Sequence, residues 1–119
     1  MKTILVVDDD QTFFEMVHEA LDPKKYNVLG AGDGVKGLEA VEKSFPDAIL
    51  LDIKMPNMNG IEFLHKLHDM GRPAVPVIIT SNDSSLETIS EGTQLGIRGY
   101  IVKSNESLKT ISSMIDHLF

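Results

Sequence analysis

Four short apolar runs in this chain each end on residues able to do chemistry. Ile4-Leu5-Val6-Val7 leads into Asp8-Asp9-Asp10, and Ala48-Ile49-Leu50-Leu51 into Asp52. Val77-Ile78-Ile79 leads into Thr80, and Tyr100-Ile101-Val102 into Lys103. If the runs are strands of one parallel sheet, carboxylates, hydroxyl and ammonium emerge at a single edge, the edge at which open α/β sheets bind ligands. Two like charges about 4 Å apart repel by roughly 4 kcal/mol at an effective dielectric near 20. Three clustered carboxylates therefore need counter-charge. Lys103 supplies one positive charge and a hard divalent cation two more. Mg²⁺ suits the set, because it keeps several waters and takes one or two carboxylates plus phosphate oxygens; the backbone carbonyl of Lys54 can add a ligand.

These are the parts of phosphoryl transfer: a carboxylate nucleophile, a metal, a lysine for the developing charge, and a hydroxyl donor at Thr80. Asp52 is the better nucleophile candidate, since it stands alone at the centre of the sheet. The Asp8-Asp9 pair has the charge density to hold a metal. Asp10 reads as the cap of the first helix.

The elements that must position these groups alternate five times. Strands are expected over Thr3–Val7, Asn27–Ala31, Ala48–Leu51, Pro76–Ile79 and Gly99–Val102. The first helix is expected over Gln11–Leu21, with Phe13, Phe14, Val17, Ala20 and Leu21 inward. The second spans Gly34–Ser44 after an Asp33 cap, with Val35, Leu38, Val41 and Phe45 facing in. The third follows the turn Pro56-Asn57-Met58-Asn59-Gly60, is capped by Asn59 and runs to Met70, with Ile61, Leu64 and Leu67 inward. The fourth starts near Ser84 or Ser85, and Ser90, Gly92 and Thr93 weaken it. The fifth runs from Asn105 to the end with Leu108, Ile111, Ile115 and Leu118 inward.

Five such units imply an α/β, doubly wound fold with helices on both faces of a parallel sheet. The unbroken apolar character of strands 1, 3 and 4 agrees, because such strands are buried on both sides. Two strand orders are common; in the order 2-1-3-4-5, strands 1 and 3 are neighbours and Asp8, Asp9 and Asp52 converge. The 119 residues read as one domain, 1–119. The formal net charge of -7 argues against direct nucleic-acid binding. There is no cysteine, so no disulfide and no thiolate metal site. No signal peptide or membrane-length apolar span is visible, and a cytoplasmic location is expected.

Taken together, Ile-Leu-Val-Val-Asp8-Asp9-Asp10, Leu-Leu-Asp52-Ile-Lys-Met-Pro56-Asn-Met-Asn-Gly60, Ile-Ile-Thr80-Ser81 and Gly-Tyr100-Ile-Val-Lys103 resemble the receiver domain of two-component response regulators, of the chemotaxis-regulator kind. The resemblance spans the whole chain in motif order and spacing. It implies the flavodoxin-like (βα)5 fold with order 2-1-3-4-5, and phosphorylation of Asp52 by a sensor histidine kinase. It further implies Mg²⁺ held by Asp9, Asp52 and the Lys54 carbonyl with Asp8 helping through water. Thr80 and Lys103 would bind the phosphoryl oxygens, and Tyr100 would switch with Thr80. A downstream protein target or effector domain would read the face of helix 4, strand 5 and helix 5. The resemblance implies no conventional enzyme, only Mg²⁺-dependent self-phosphorylation and autodephosphorylation at Asp52, in a monomer or weak dimer. Lys54 and Asn82 would screen the acceptor from water.

Two positions depart from the pattern. Ser104 stands where the family usually has a proline, often with a cis bond. A cis bond before a non-proline residue costs about 3 kcal/mol, so the sequence leaves cis or trans open at Lys103–Ser104 and with it the path of the loop that follows. Asn59 replaces the commoner aspartate and caps equally well. Two rival readings remain. Asp8-Asp9-Asp10-Gln11-Thr12 also fits the Asp-x-Asp-x-Thr signature of haloacid-dehalogenase-like phosphohydrolases, with Asp8 as nucleophile and Asp10 as acid/base; that family's late acidic pair is missing. The other is a receiver-like module that binds a partner without phosphorylation.

Overall fold

The computed structural model describes residues 1–53, 55, 58–71, 75–81, 96–103 and 107–119. Five strands, β1 (Lys2–Val7), β2 (Tyr26–Ala31), β3 (Ala48–Asp52), β4 (Val77–Ser81) and β5 (Gly99–Val102), form one parallel sheet in the order β2-β1-β3-β4-β5. This is the expected order, and it puts β1 and β3 side by side with Val7 opposite Leu51. Four helices are described: α1 (Gln11–Ala20), α2 (Gly34–Ser44), α3 (Gly60–Asp69) and a C-terminal helix (Leu108–Asp116). The expected fourth helix lies outside the described residues.

The strand pleat divides the core in two, because successive side chains point to opposite faces. Leu5, Val7, Ile49, Leu51, Val77 and Ile79 pack under α2 and α3 with Phe63, Leu64 and Leu67. Ile4, Val6, Ala48, Leu50, Ile78 and Ile101 pack under α1 and the C-terminal helix with Phe13, Val17, Ile111 and Ile115.

Helix ends follow local chemistry. Asp10 accepts from the Thr12 and Phe13 amides, Asp33 from Lys36, and Asn59 from Glu62. The C-terminal helix begins at Leu108, later than the expected Asn105. Ser107 is extended and its hydroxyl accepts the Thr110 amide, so the cap lies there. Leu21 and Met70 are likewise caps, one step beyond α1 and α3.

The expected inward face of α2 is corrected. Val35 is 46% and Phe45 59% exposed. The buried positions are Gly34, Gly37 and Val41. A Cβ on Gly37 would come within 3.0 Å of Val7 and 2.9 Å of Phe63, so the missing side chain lets α2 lie directly against the sheet. Phe45 precedes Pro46, which disfavours the right-handed helical region. It adopts φ 46°, ψ 62° instead, and its ring leaves the helical face.

β2 starts one residue earlier than expected, at Tyr26, and β3 and β4 run on through Asp52 and Ser81. The Tyr26 hydroxyl donates to Asp116 at the end of the C-terminal helix. Burial first, then this hydrogen bond and the Asp116 charge, push the phenol from about 10 up to about 12. The neutral phenol is thus favoured by folding, and its contribution is fully present below pH 10. It is lost as pH rises from about 10 to about 12. We expect denaturant midpoints of wild type to fall across that window and those of Tyr26→Phe to fall less. Ultraviolet absorbance titration should show one of the two tyrosines ionising near the upper end.

Candidate functional site

Pleat parity carries the core pattern to the edge of the sheet. Ile4 and Val6 are followed on the same face by Asp8, Ala48 and Leu50 by Asp52, Ile78 by Thr80, and Ile101 by Lys103. The ladder continues far enough to hold them. Asp52 pairs with Thr80 in register. The Asp8 amide donates to Ala31 and the Lys103 amide to Ser81, at 2.9 and 2.8 Å. All four side chains therefore emerge on the α1 side of the sheet.

There Asp8, Asp9 and Asp52 each offer a carboxylate oxygen, and these oxygens lie within 4.8 Å of one another. Asp8 and Asp52 are buried and Asp9 is exposed. Lys103 Nζ is 2.6 Å from Asp8 Oδ2 and 3.6 Å from Asp52 Oδ2. The other oxygen of Asp8 accepts the Asp10 amide at 2.9 Å. Three carboxylates against one ammonium leave a formal -2 (three negative, one positive) in a space closed on the inner side. The donor set is all oxygen and partly solvent-facing, which fits a hard cation that retains waters. A cleft of about 330 Å³ opens beside it, lined by Asp8, Asp9, Gln11 and Phe14 and by the β2 end at Gly30, Ala31 and Gly32.

Thr80 is fully buried, and its hydroxyl finds no hydrogen-bond partner among the described residues. Tyr100 is half-buried on the opposite face of the sheet, against the core under α2 and α3. Lys54, Asn82 and the Lys103–Ser104 bond lie outside the described residues. The geometry does not favour Asp8 as a nucleophile with Asp10 as its acid. The Asp8 side chain has 0% exposure and is held by Lys103, while the Asp10 carboxylate is turned onto the amides of α1. His18, His65 and His68 are exposed, as expected of solvated helix residues.

The loop from Asp52 to α3 is drawn tight by Gly60. Its amide donates to Ile53 O at 2.9 Å, and a Cβ there would stand 2.7 Å from Asp52 O and 2.8 Å from Ile53 Cα. Neither backbone atom can yield without moving Asp52. Sequence reading placed Gly60 in a turn but gave no sign of this contact, which exists only once α3 folds back on the end of β3.

A five-stranded sheet in this order with an acidic edge opposed by a strand-end lysine is the arrangement of a receiver domain, and receiver domains are phosphorylation-based signalling domains. The chain belongs to the response regulator receiver domain family, which it matches over residues 4–116. Among its relatives is the probable transcriptional regulatory protein TcrX of Mycobacterium tuberculosis, 36% identical over 101 residues that cover 85% of this chain and 43% of that protein. The response regulator MprA of Mycobacterium leprae is 36% identical over 100 residues, covering 84% and 43%. The chain thus spans less than half the length of these curated relatives. Among solved structures, the chemotaxis protein CheY4 of Vibrio cholerae superposes with a TM-score of 0.89 at 28% identity, covering 100% of this chain and 99% of that one. A CheY-like receiver domain protein from Methanospirillum hungatei gives 0.87 at 31% identity, covering 99% and 94%.

Two substitutions test this arrangement. Gly60→Ala should destabilise by about 2–3 kcal/mol in urea titrations, since the clash is with backbone. Asp9→Asn should raise stability in metal-free buffer by about 1 kcal/mol, less at high salt. Added Mg²⁺ should raise the Tm of wild type in differential scanning fluorimetry, and Asp9→Asn should lose most of that shift.

Proposed function

We propose that residues 1–119 form a single receiver unit in which Asp52 accepts a phosphoryl group from the phosphohistidine of a sensor histidine kinase. The observation that carries this reading is the convergence of the Asp8, Asp9 and Asp52 carboxylates within 4.8 Å, with Lys103 against them. An Asp52 oxygen forms the new bond to phosphorus while the phosphorus–nitrogen bond breaks. The departing imidazole nitrogen keeps the electron pair and takes a proton from solvent. The products are an acyl phosphate on Asp52 and a neutral histidine. Such transfers depend on positioning and charge stabilisation more than on covalent help from the protein.

Asp8, Asp9 and Asp52, with the Lys54 carbonyl, would hold Mg²⁺. When bound, the ion neutralises charge on the phosphoryl oxygens. Lys103 leaves its close pair with Asp8 to meet one phosphoryl oxygen, and the unpartnered Thr80 hydroxyl donates to another. The added charge biases the loop after β4, and Tyr100 on β5 follows Thr80 as the switch. The face of the fourth helix, β5 and the C-terminal helix then meets a downstream protein target or effector domain. The acyl phosphate is lost by autodephosphorylation, and the residue types at positions 54 and 82 set its lifetime.

No helix among the described residues is long and apolar enough to cross a membrane, and the net charge of -7 disfavours contact with nucleic acid by this unit. A cytoplasmic monomer or weak dimer fits both.

Acetyl phosphate with Mg²⁺ should label wild type. Asp52→Asn should stay unlabelled, and chelation with EDTA should reduce labelling at least about tenfold, the loss of roughly 1.4 kcal/mol of transition-state stabilisation. Borohydride reduction followed by mass spectrometry should place the label on residue 52. Label on residue 8, or none even with a cognate kinase, would defeat the reading; the latter would favour a module that binds its partner unphosphorylated.

A further inference from the structure

The Lys103 ammonium is enclosed by more than carboxylates. Nζ lies over the ring of Phe13, 4.9 Å from its centroid, with Asp8 Oδ2 at 2.6 Å and Asp52 Oδ2 at 3.6 Å on its other sides. The Lys103 side chain is 8% exposed and Phe13 is 3% exposed. So little water reaches a group with three donors that the third side matters. The negative face of an aromatic ring attracts a cation within about 6 Å of its centroid, and more strongly when the pair is desolvated. A leucine or isoleucine would fill similar space without that field.

The ring and the carboxylate are placed by one run of hydrogen bonds. Asp8 Oδ1 accepts the Asp10 amide, and Asp10 Oδ1 accepts the Phe13 amide at 3.3 Å. The run that aims Asp8 at the ammonium therefore also fixes the first turn of α1, from which Phe13 faces the same point.

We infer that Phe13 is a positioning residue for Lys103: its ring face holds the ammonium between Asp8 and Asp52, ready for phosphoryl oxygens arriving on Asp52. The inference rests on Asp52 being the acceptor. Phe13 also belongs to the core under α1, and Phe13→Leu removes both roles at once, so the ring's charge distribution must be varied at constant shape.

Site-specific replacement of Phe13 by mono-, di- and trifluorinated phenylalanine does this, with Phe13→Leu and Phe13→Tyr beside it. The labelling rate with acetyl phosphate and Mg²⁺ is resolved into a saturating rate and a half-saturating concentration. The saturating rate should fall in graded steps to about one fifth at trifluorophenylalanine, and about as far in Phe13→Leu. The half-saturating concentration should change little, and Phe13→Tyr should keep the wild-type rate. In unphosphorylated wild type the Lys103 Hε resonances should carry an upfield ring-current shift that Phe13→Leu abolishes. Wild-type rates across the fluorine series, with only Phe13→Leu slow or unfolded, would overturn the inference and leave Phe13 as packing. Failure of any donor to label wild-type Asp52 would overturn it through the acceptor reading, and a ring-current shift still present would locate that failure in function and not in the contact.

Discussion

Excess negative charge at one sheet edge is the condition to which the rest of the molecule answers. Asp8 and Asp52 leave the centre of a parallel sheet on the same face, and Asp9 follows from the adjoining loop. Only one ammonium among the described residues stands against them, at 2.6 Å from Asp8 and 3.6 Å from Asp52. Carboxylates brought this close, two of them buried, are stable only with opposing charge supplied nearby. Part of it comes from Lys103, and the negative balance that remains would favour a cation from solution. On the proposed function, a phosphoryl group on Asp52 would add negative charge there and draw Lys103 from its close pair with Asp8.

The sheet turns this condition into a geometry. Asp8, Asp52, Thr80 and Lys103 are the residues that continue one face of the pleat past the packed layer of Ile4, Val6, Ala48, Leu50, Ile78 and Ile101. Helix α1 covers that face, so it contributes Phe13 beneath the ammonium and, through Asp10, the hydrogen bonds that aim Asp8. Tyr100, one residue out of phase with Ile101, lies on the other face. The site is thus the polar end of one of the two cores, continuous with its packed layer. Gly60 adds the last restraint by folding the α3 start against the Asp52 carbonyl, closer than any side chain would allow.

Much of this could be read along the chain. The five strands, their parallel pairing and the caps at Asp10, Asp33 and Asn59 were legible along the chain, the strand ends to within one or two residues. So was the acidic cluster, because strand ends in a sheet of this order can meet only at one edge. What was misread was the face of α2. Apolar spacing pointed to Val35 and Phe45, whereas Gly34, Gly37 and Val41 are the buried positions, with Gly37 against Val7 of β1 and Gly34 against Met58. Periodicity scores side chains, and a helix that docks through its glycines has none to score. Tyr26 was missed as a strand residue because what makes it one is its pairing with Lys2 of β1, which no local pattern shows.

The sequence by itself determined the elements, their order and the identity of the charged groups, since these depend on propensity, capping and alternation over a few residues. Only the tertiary structure decided how the groups are shared. That Lys103 pairs closely with Asp8 and sits farther from Asp52, that Phe13 offers it a ring face, and that Gly60 presses on Asp52 are matters of a few ångström between segments far apart in the chain. Electrostatic attraction, π contact and backbone clash all change steeply over such distances, and no local pattern in the sequence encodes them.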